Sequence, residues 1–186
     1  MSGFVMALKS TVYKADLQIT DLDRHYYANH QLTLALHPSE TEERLMVRLL
    51  AFADCASEQL QFSKGLDNPD DPPLWEKDLT GAIVHWIELG QPDESRLRKA
   101  AGRAEKVTVY CYGGASTTMW WSQLVGKLSR QQHLRVVRLS EESVAALAAL
   151  CERSMRVQVT LQDGEWFVSS ERGDVTIAPE QLFPQP

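Results

Sequence analysis

The stretch that decides the fold is Trp75 to Arg103, WEKDLTGAIVHWIELGQPDESRLRKAAGR. Its first half holds Ala82 to Leu89, an apolar run with the length and composition of a buried strand. Asp78 precedes this run and Glu88 stands near its end. A carboxylate at the end of a buried strand costs free energy unless something pairs with it, so it is the first place to look for chemistry. The second half starts a helix. Pro92 suits a first turn, Asp93 and Glu94 complement the positive end of the helix dipole, and Leu97, Ala100, Ala101 and Ala104 recur on one face. That face turns Lys99 toward the opposite side and leaves Arg96 and Arg103 on its flanks.

Upstream, Leu8 to Thr20 and His25 to Leu36 are extended runs on either side of a turn at Asp21 to Arg24, which predicts an N-terminal β-hairpin. His37-Pro38-Ser39-Glu40 ends the second run and opens a helix, with Ser39 as N-cap and Glu40, Glu42 and Glu43 in the first turn. Leu45, Leu49, Phe52 and Ala56 carry it to about Ser57. Lys64 to Pro73, dense in Pro and Asp, is a loop. Downstream, Val107 to Tyr112 suits a central strand, Gly113-Gly114 turns the chain, and Ser116 or Thr117 caps a helix reaching about Ser129. His133 to Leu139 is a strand, Ser140 caps a helix from Glu141 to Cys151, and Arg156 to Gln162 is strand-like. Asp163-Gly164 signals a hairpin, and the tail from Asp174 adds an edge strand before Pro179. The order predicts an α/β (α+β) fold: a mixed β-sheet flanked by helices, with hairpins at both ends, in one domain over residues 1–186.

A hydrophobic fraction of 44% and a charged fraction of 24% are those of an ordinary globular protein. No apolar run is long enough to span a membrane, and no signal-peptide layout opens the chain. Cys55, Cys111 and Cys151 are scattered without metal-ligand spacing, so they read as free thiols of a cytoplasmic protein. The net charge of −6 speaks against a general nucleic-acid binder. Its distribution differs: Arg96 to Leu139 holds 9 Lys+Arg against 1 acid, a block that would steer a phosphorylated ligand if its charges shared one face.

Hydrolysis of a phosphodiester without a covalent intermediate needs a metal to polarise the phosphate, an activated water and a cation near the developing charge. Mg²⁺ is usually held by one or two carboxylates, with waters and substrate completing the shell. Asp78 and Glu88, one acid on each side of a strand, match that design in outline. The bland readings are that Asp78 bonds its own turn and that Glu88 pairs with an Arg of the following helix.

The segment is similar to the PD-(D/E)XK nuclease arrangement, in which an Asp and an acidic-X-Lys element lie on neighbouring strands behind a helix carrying a Glu. More specifically, HPSETEER from His37, LQFSKGL from Leu60, WIELGQPDE from Trp86 and the tandem Trp120-Trp121 resemble the YaeQ family of small bacterial proteins. The resemblance implies a variant restriction-endonuclease-like fold, Mg²⁺ or Mn²⁺ as cofactor, and nucleic acid as partner. It also implies Asp78 and Glu88 as metal ligands and Glu43 or Glu40 as an accessory acid. Gly90 stands where the acidic-X-Lys element has its Lys, so Lys99 from the next helix is the candidate replacement, with Arg96 beside it. Gln91 and Lys99 would then lie near the attacking water or the scissile phosphate. The second reading, from a different class, is a non-catalytic interaction protein that keeps the fold.

Other signals carry less. His85 and Glu88, three apart on a strand, face opposite sides. Gly113-Gly114 lacks the rest of a phosphate-binding glycine motif, and Cys111 reads as core packing. One of Trp120 and Trp121 should pack inward, leaving the other half-buried or free to stack on a base.

Overall fold

The computed structural model describes residues 9–64, 68–128 and 130–186. The expected strand start at Leu8, part of the loop after Lys64, and the expected helix end at Ser129 lie outside these residues.

The chain opens with β1 (Thr11–Asp21) and β2 (Tyr26–Leu36), paired antiparallel over their full length. Tyr13, Ala15, Leu17 and Ile19 alternate with exposed or half-buried neighbours, so one face of β1 enters the core. Asp21 closes the turn: its Oδ1 accepts from Asp23 N and Arg24 N. Helix α1 (Glu42–Cys55) follows. All nine residues from Leu45 to Ala53 are buried, Arg48 among them. A helix buried on every side needs layers on more than one side of it.

Those layers are two sheets. The second contains β3 (Leu60–Phe62), β4 (Leu74–Lys77), β5 (Ile83–Leu89), β6 (Ala104–Cys111), β7 (Leu134–Arg138) and a distant strand, β11 (Glu180–Phe183), in the order β11-β7-β6-β5-β4-β3. Its central strands β5, β6 and β7 run parallel, and the outer pairings are antiparallel. α2 (Glu94–Arg103) connects β5 to β6, and α3 (Ala115–Leu128) connects β6 to β7. Both helices cover the face of this sheet away from α1, packing Leu97, Ala100, Leu124 and Leu128 against Trp86, Val109 and Val136.

The first sheet is completed from the other end of the chain. After α4 (Glu141–Ala148), β8 (Ser154–Gln162) pairs parallel to β1, and β9 (Glu165–Ser170) and β10 (Gly173–Ile177) extend it to the order β10-β9-β8-β1-β2. The two terminal hairpins are therefore one mixed sheet, joined at β1 and β8. Leu17, Val157 and Trp166 of this sheet and Ile87, Tyr110 and Val137 of the other share one core with α1. The rings of Tyr110 and Trp166 meet across it at 6.1 Å. No helix among the described residues is long and apolar enough to cross a membrane.

The expected mixed sheet with flanking helices is what the chain forms, but the sheet count is two. The first helix begins later than its sequence suggests: Thr41, not Ser39, is the N-cap, its side chain accepting from Arg44 N at 3.1 Å. Ser39 is instead engaged by His37, Oγ to Nδ1 at 2.7 Å.

Candidate functional site

The site lies where β5 ends and the chain turns toward α2. Ile87 and Leu89 point to the α1 side of the sheet; Trp86 and Glu88 point to the α2 side. Glu88 is 3% exposed, and its Oε1 accepts two donors: the Trp86 indole N–H at 2.8 Å and Arg96 Nε at 2.6 Å. Burial raises its carboxyl above the usual range, against the lowering by the Trp86 hydrogen bond and the Arg96 charge. Direct contact with a guanidinium makes the ionised carboxylate the form this geometry suits.

Arg96 also fastens the loop above Glu88. Its Nη1 donates to Pro69 O at 2.6 Å and its Nη2 to Asp71 O at 2.9 Å, while its guanidinium lies 6.0 Å from the Trp86 ring centroid. A cleft of about 350 Å³ opens beside this knot, lined by Glu40, Arg44, Arg48, Asp71, Gln91 and their neighbours. Arg44 and Arg48 stand four residues apart on one side of α1, and Glu40 lies just before its N-cap. Arg44 pairs with Glu40 at 3.3 Å and donates to Leu89 O. Arg48 is 6% exposed; its Nη2 donates to Ala35 O at 2.7 Å and its buried Nε has no partner among the described residues. Gly90 takes φ +87°, which glycine adopts freely and which turns the chain out of β5.

Gln91 borders the cleft, but its amide nitrogen is spent on the next turn, donating to Tyr112 O, Ser116 Oγ and Thr117 Oγ1. It ties the end of β5 to the start of α3. Glu43 does not border the cleft; Glu40, the other acid named for the accessory role, does.

Three expectations need correction. Asp78 is not beside Glu88: it sits in the β4–β5 turn, where its Oδ1 accepts from Thr80 N, Thr80 Oγ1 and Ala82 N. The Thr80 hydrogen bond leads the interactions that hold its carboxyl below the usual range. With Asp78 bound to Ala82, six residue steps lead from there to Glu88, about 20 Å at roughly 3.3 Å per residue. One ion cannot bridge that gap, and the described residues contain no group of three His, Cys, Asp or Glu side chains able to hold a metal. The site as built does not fit the Mg²⁺ or Mn²⁺ centre expected at Asp78 and Glu88. Second, Lys99 does not reach Glu88; it pairs with Asp70 at 2.7 Å in an exposed bridge. The cation at the acid is Arg96. Third, the basic block is divided. Arg98 and Lys127 share Glu94, Arg135 pairs with Asp54, and only Arg96 of the block borders the cleft.

Asp71 is the residue that sequence reasoning missed. Antiparallel pairing sets Leu74 opposite Ile87, and Asp71, three residues earlier, lines the same cleft as Gly90 and accepts from Arg96 through its carbonyl. The acid before β4, not the one after it, meets the end of β5. The Pro-Asp-Asp-Pro-Pro run directly before Leu74 was the available signal. Trp120 and Trp121 are both half-buried, 6.0 Å apart, and the Trp120 indole N–H donates to Pro92 O.

Comparison with known proteins gives one consistent result. The model of the family described as YaeQ protein matches residues 6–179. A protein of Escherichia coli (strain K12), named an uncharacterized protein YaeQ, is 41% identical over 172 residues, 92% of this chain and 95% of that protein. Its counterpart in Salmonella typhi is 42% identical over the same shares. The crystal structure of YaeQ protein from Xanthomonas axonopodis pv. citri is similar at a TM-score of 0.91 and 51% identity, covering 93% of this chain and 98% of that one. That of the Pseudomonas syringae protein gives 0.90 at 37% identity, covering 95% and 97%.

Proposed function

The chain belongs to the YaeQ family, and from that premise and the cleft at Glu88 we propose that it binds nucleic acid through a nuclease-like site without metal-dependent hydrolysis. The observation that carries this reading is the 2.6 Å contact between Arg96 and Glu88. In the nuclease arrangement the strand-end acid faces a metal; here it faces a guanidinium, and Asp78, the acid expected to share an ion with it, is bound in the β4–β5 turn. Without a metal to polarise a phosphate or acidify a water, the site lacks the components of turnover.

What remains in the cleft suits a phosphodiester. Arg44 presents a planar, permanently charged group beside the end of the parallel strands, where open α/β sheets receive ligands, with the buried Arg48 behind it. The cleft's own acids, Glu40, Asp71 and Glu88, confine attraction to groups that fit it. Binding of a fluorescent oligonucleotide by the wild type and by Arg44→Ala tests the reading. The expected result is affinity that survives chelation of divalent ions and falls about tenfold in the variant. Binding that requires Mg²⁺, or cleavage of the oligonucleotide, would overturn it.

A further inference from the structure

At the other end of the six-stranded sheet, the face toward α1 changes from apolar to polar. The register sets Glu76 beside His85, His85 beside Lys106, and Thr108 beside Arg135, so five polar residues form a row across four strands. α1 stops at Cys55 and does not cover this row. A cleft of about 430 Å³ lies over it, with Arg24 and Asp54 also in its lining.

Part of this row is held rigid. His85 and Thr108 are 4% and 2% exposed and bond each other, Nε2 to Oγ1, at 2.8 Å. Burial pulls the His85 imidazole down to about 3, so the floor is neutral at physiological pH. Arg135 Nη1 donates to Asp54 Oδ2 at 2.9 Å, an oxygen that also accepts from the buried Tyr110 hydroxyl. Arg24 is fixed by Asp21 and donates to Ala53 O and Ala56 O, so it offsets the negative end of the α1 dipole that would otherwise repel an anion here.

Four other side chains of the lining are uncommitted. The side chains of Glu76, Lys106, Gln132 and His133 have no hydrogen bond or ion pair among the described residues. Arg135 keeps N–H groups beyond those given to Asp54 and Gln181. A second cleft of about 350 Å³ shares Arg24, Asp54 and Arg135, so the Asp54–Arg135 pair stands in the partition between the two.

We propose that this cleft binds a small oxyanion-bearing molecule, its phosphate or carboxylate held by Lys106 and Arg135 and a hydrogen-bond donor of the same molecule held by Glu76. The volume is that of a small-molecule site, with fixed polar groups on the floor and free ones at the rim. This site is separate from the cleft at Glu88 and stands whether or not nucleic acid binds there.

The test is an NMR titration of the ¹⁵N-labelled full chain with inorganic phosphate, acetate and adenosine monophosphate in turn. The expected result is saturable shifts at the amides of Lys106, Thr108 and Arg135 with at least one of the three, the responsive probe telling phosphate from carboxylate. Lys106→Gln, an exposed change, should weaken that binding about tenfold, and Lys99→Gln should leave it unchanged. No saturable shift with any probe, equal affinity in Lys106→Gln, or shifts confined to Gly90 and Gln91 would each overturn the proposal.

Discussion

Glu88 and Arg96 decide the chemistry of the strand end. A carboxylate 3% exposed has given up its water, and the guanidinium and the Trp86 indole replace it. Removing the cation while leaving the acid should therefore cost more than removing the acid's charge. Arg96→Ala is expected to lower the stability read by urea unfolding by about 3 to 5 kcal/mol, since it strands Glu88 and frees the Pro69–Asp71 loop. Glu88→Gln should cost clearly less, because the amide oxygen still accepts both donors. Equal losses would mean that the pair is incidental. His85 gives a pH prediction. Its folded value of about 3 lies below the roughly 6.5 of a free imidazole, so below about pH 6.5 the unfolded chain takes up a proton that the folded chain refuses. Its contribution to stability is fully present above that pH and is lost as pH falls toward 3, by about 1.4 kcal/mol per pH unit. His85→Gln should flatten the acid limb of a stability–pH curve; an unchanged slope would contradict the buried neutral imidazole. At this scale the sequence was legible in chemical type more than in partnership. The bland readings of Asp78 as a turn residue and Glu88 as an ion-pair residue describe both side chains, because each bonds within its own neighbourhood. The choice between Arg96 and Lys99 needed the path of the loop, since Asp70 captures the lysine.

Helices were readable where apolar period and capping agree, and less so where two caps compete. Ser140 caps α4 as its spacing implies, accepting from the amide three residues on, whereas α2 starts after Pro92, and Asp93 is its N-cap instead of a first-turn residue. α1 starts at Glu42 because His37 captures the Ser39 hydroxyl and leaves Thr41 to cap. β3 and β4, of three and four residues, were too short to show a period, and missing them hid the pairing of β4 with β5 that sets Asp71 in the Glu88 cleft. The turn from β6 to α3 offers an element-scale test. Gly114 has φ +63°, and a Cβ there would stand 2.4 Å from the Glu141 carboxyl; Gly81 has φ +86° with nothing within 4 Å. Gly81→Ala should cost about 1 kcal/mol, from backbone strain alone. Gly114→Ala should cost more, up to about 3 kcal/mol, because α4's first residue must also move. Thermal melts of the two variants compare them, and equal losses would show that Glu141 yields freely.

Across the whole molecule, the feature that sequence order concealed is the union of the two ends. Each hairpin was visible, but the parallel pairing of β1 with β8 joins residues more than a hundred positions apart, and no local pattern announces it. That pairing places Leu17 and Ile19 beside Val157 and Val159, within the core that α1 shares with both sheets. A chain ending at Arg153 should therefore lose cooperative unfolding and bind a hydrophobic dye, since β1 would become an open edge over an exposed core. A sharp melt from that fragment would show that β3 to β7 fold without β8 to β11. The same architecture sends the parallel strands' ends to opposite sides, the Glu88 cleft at one and the Lys106 cleft at the other. It is the reason that a block of basic residues contiguous in sequence does not form one surface.

The central claim, that Arg96 has taken the place of a metal at Glu88, is tested most directly by incubating the full chain with DNA and RNA substrates, single- and double-stranded, in Mg²⁺ and in Mn²⁺, beside Glu88→Gln. The expected result is retention of substrate by both proteins with no cleavage in either ion. Metal-dependent cleavage by the wild type that Glu88→Gln abolishes would contradict it.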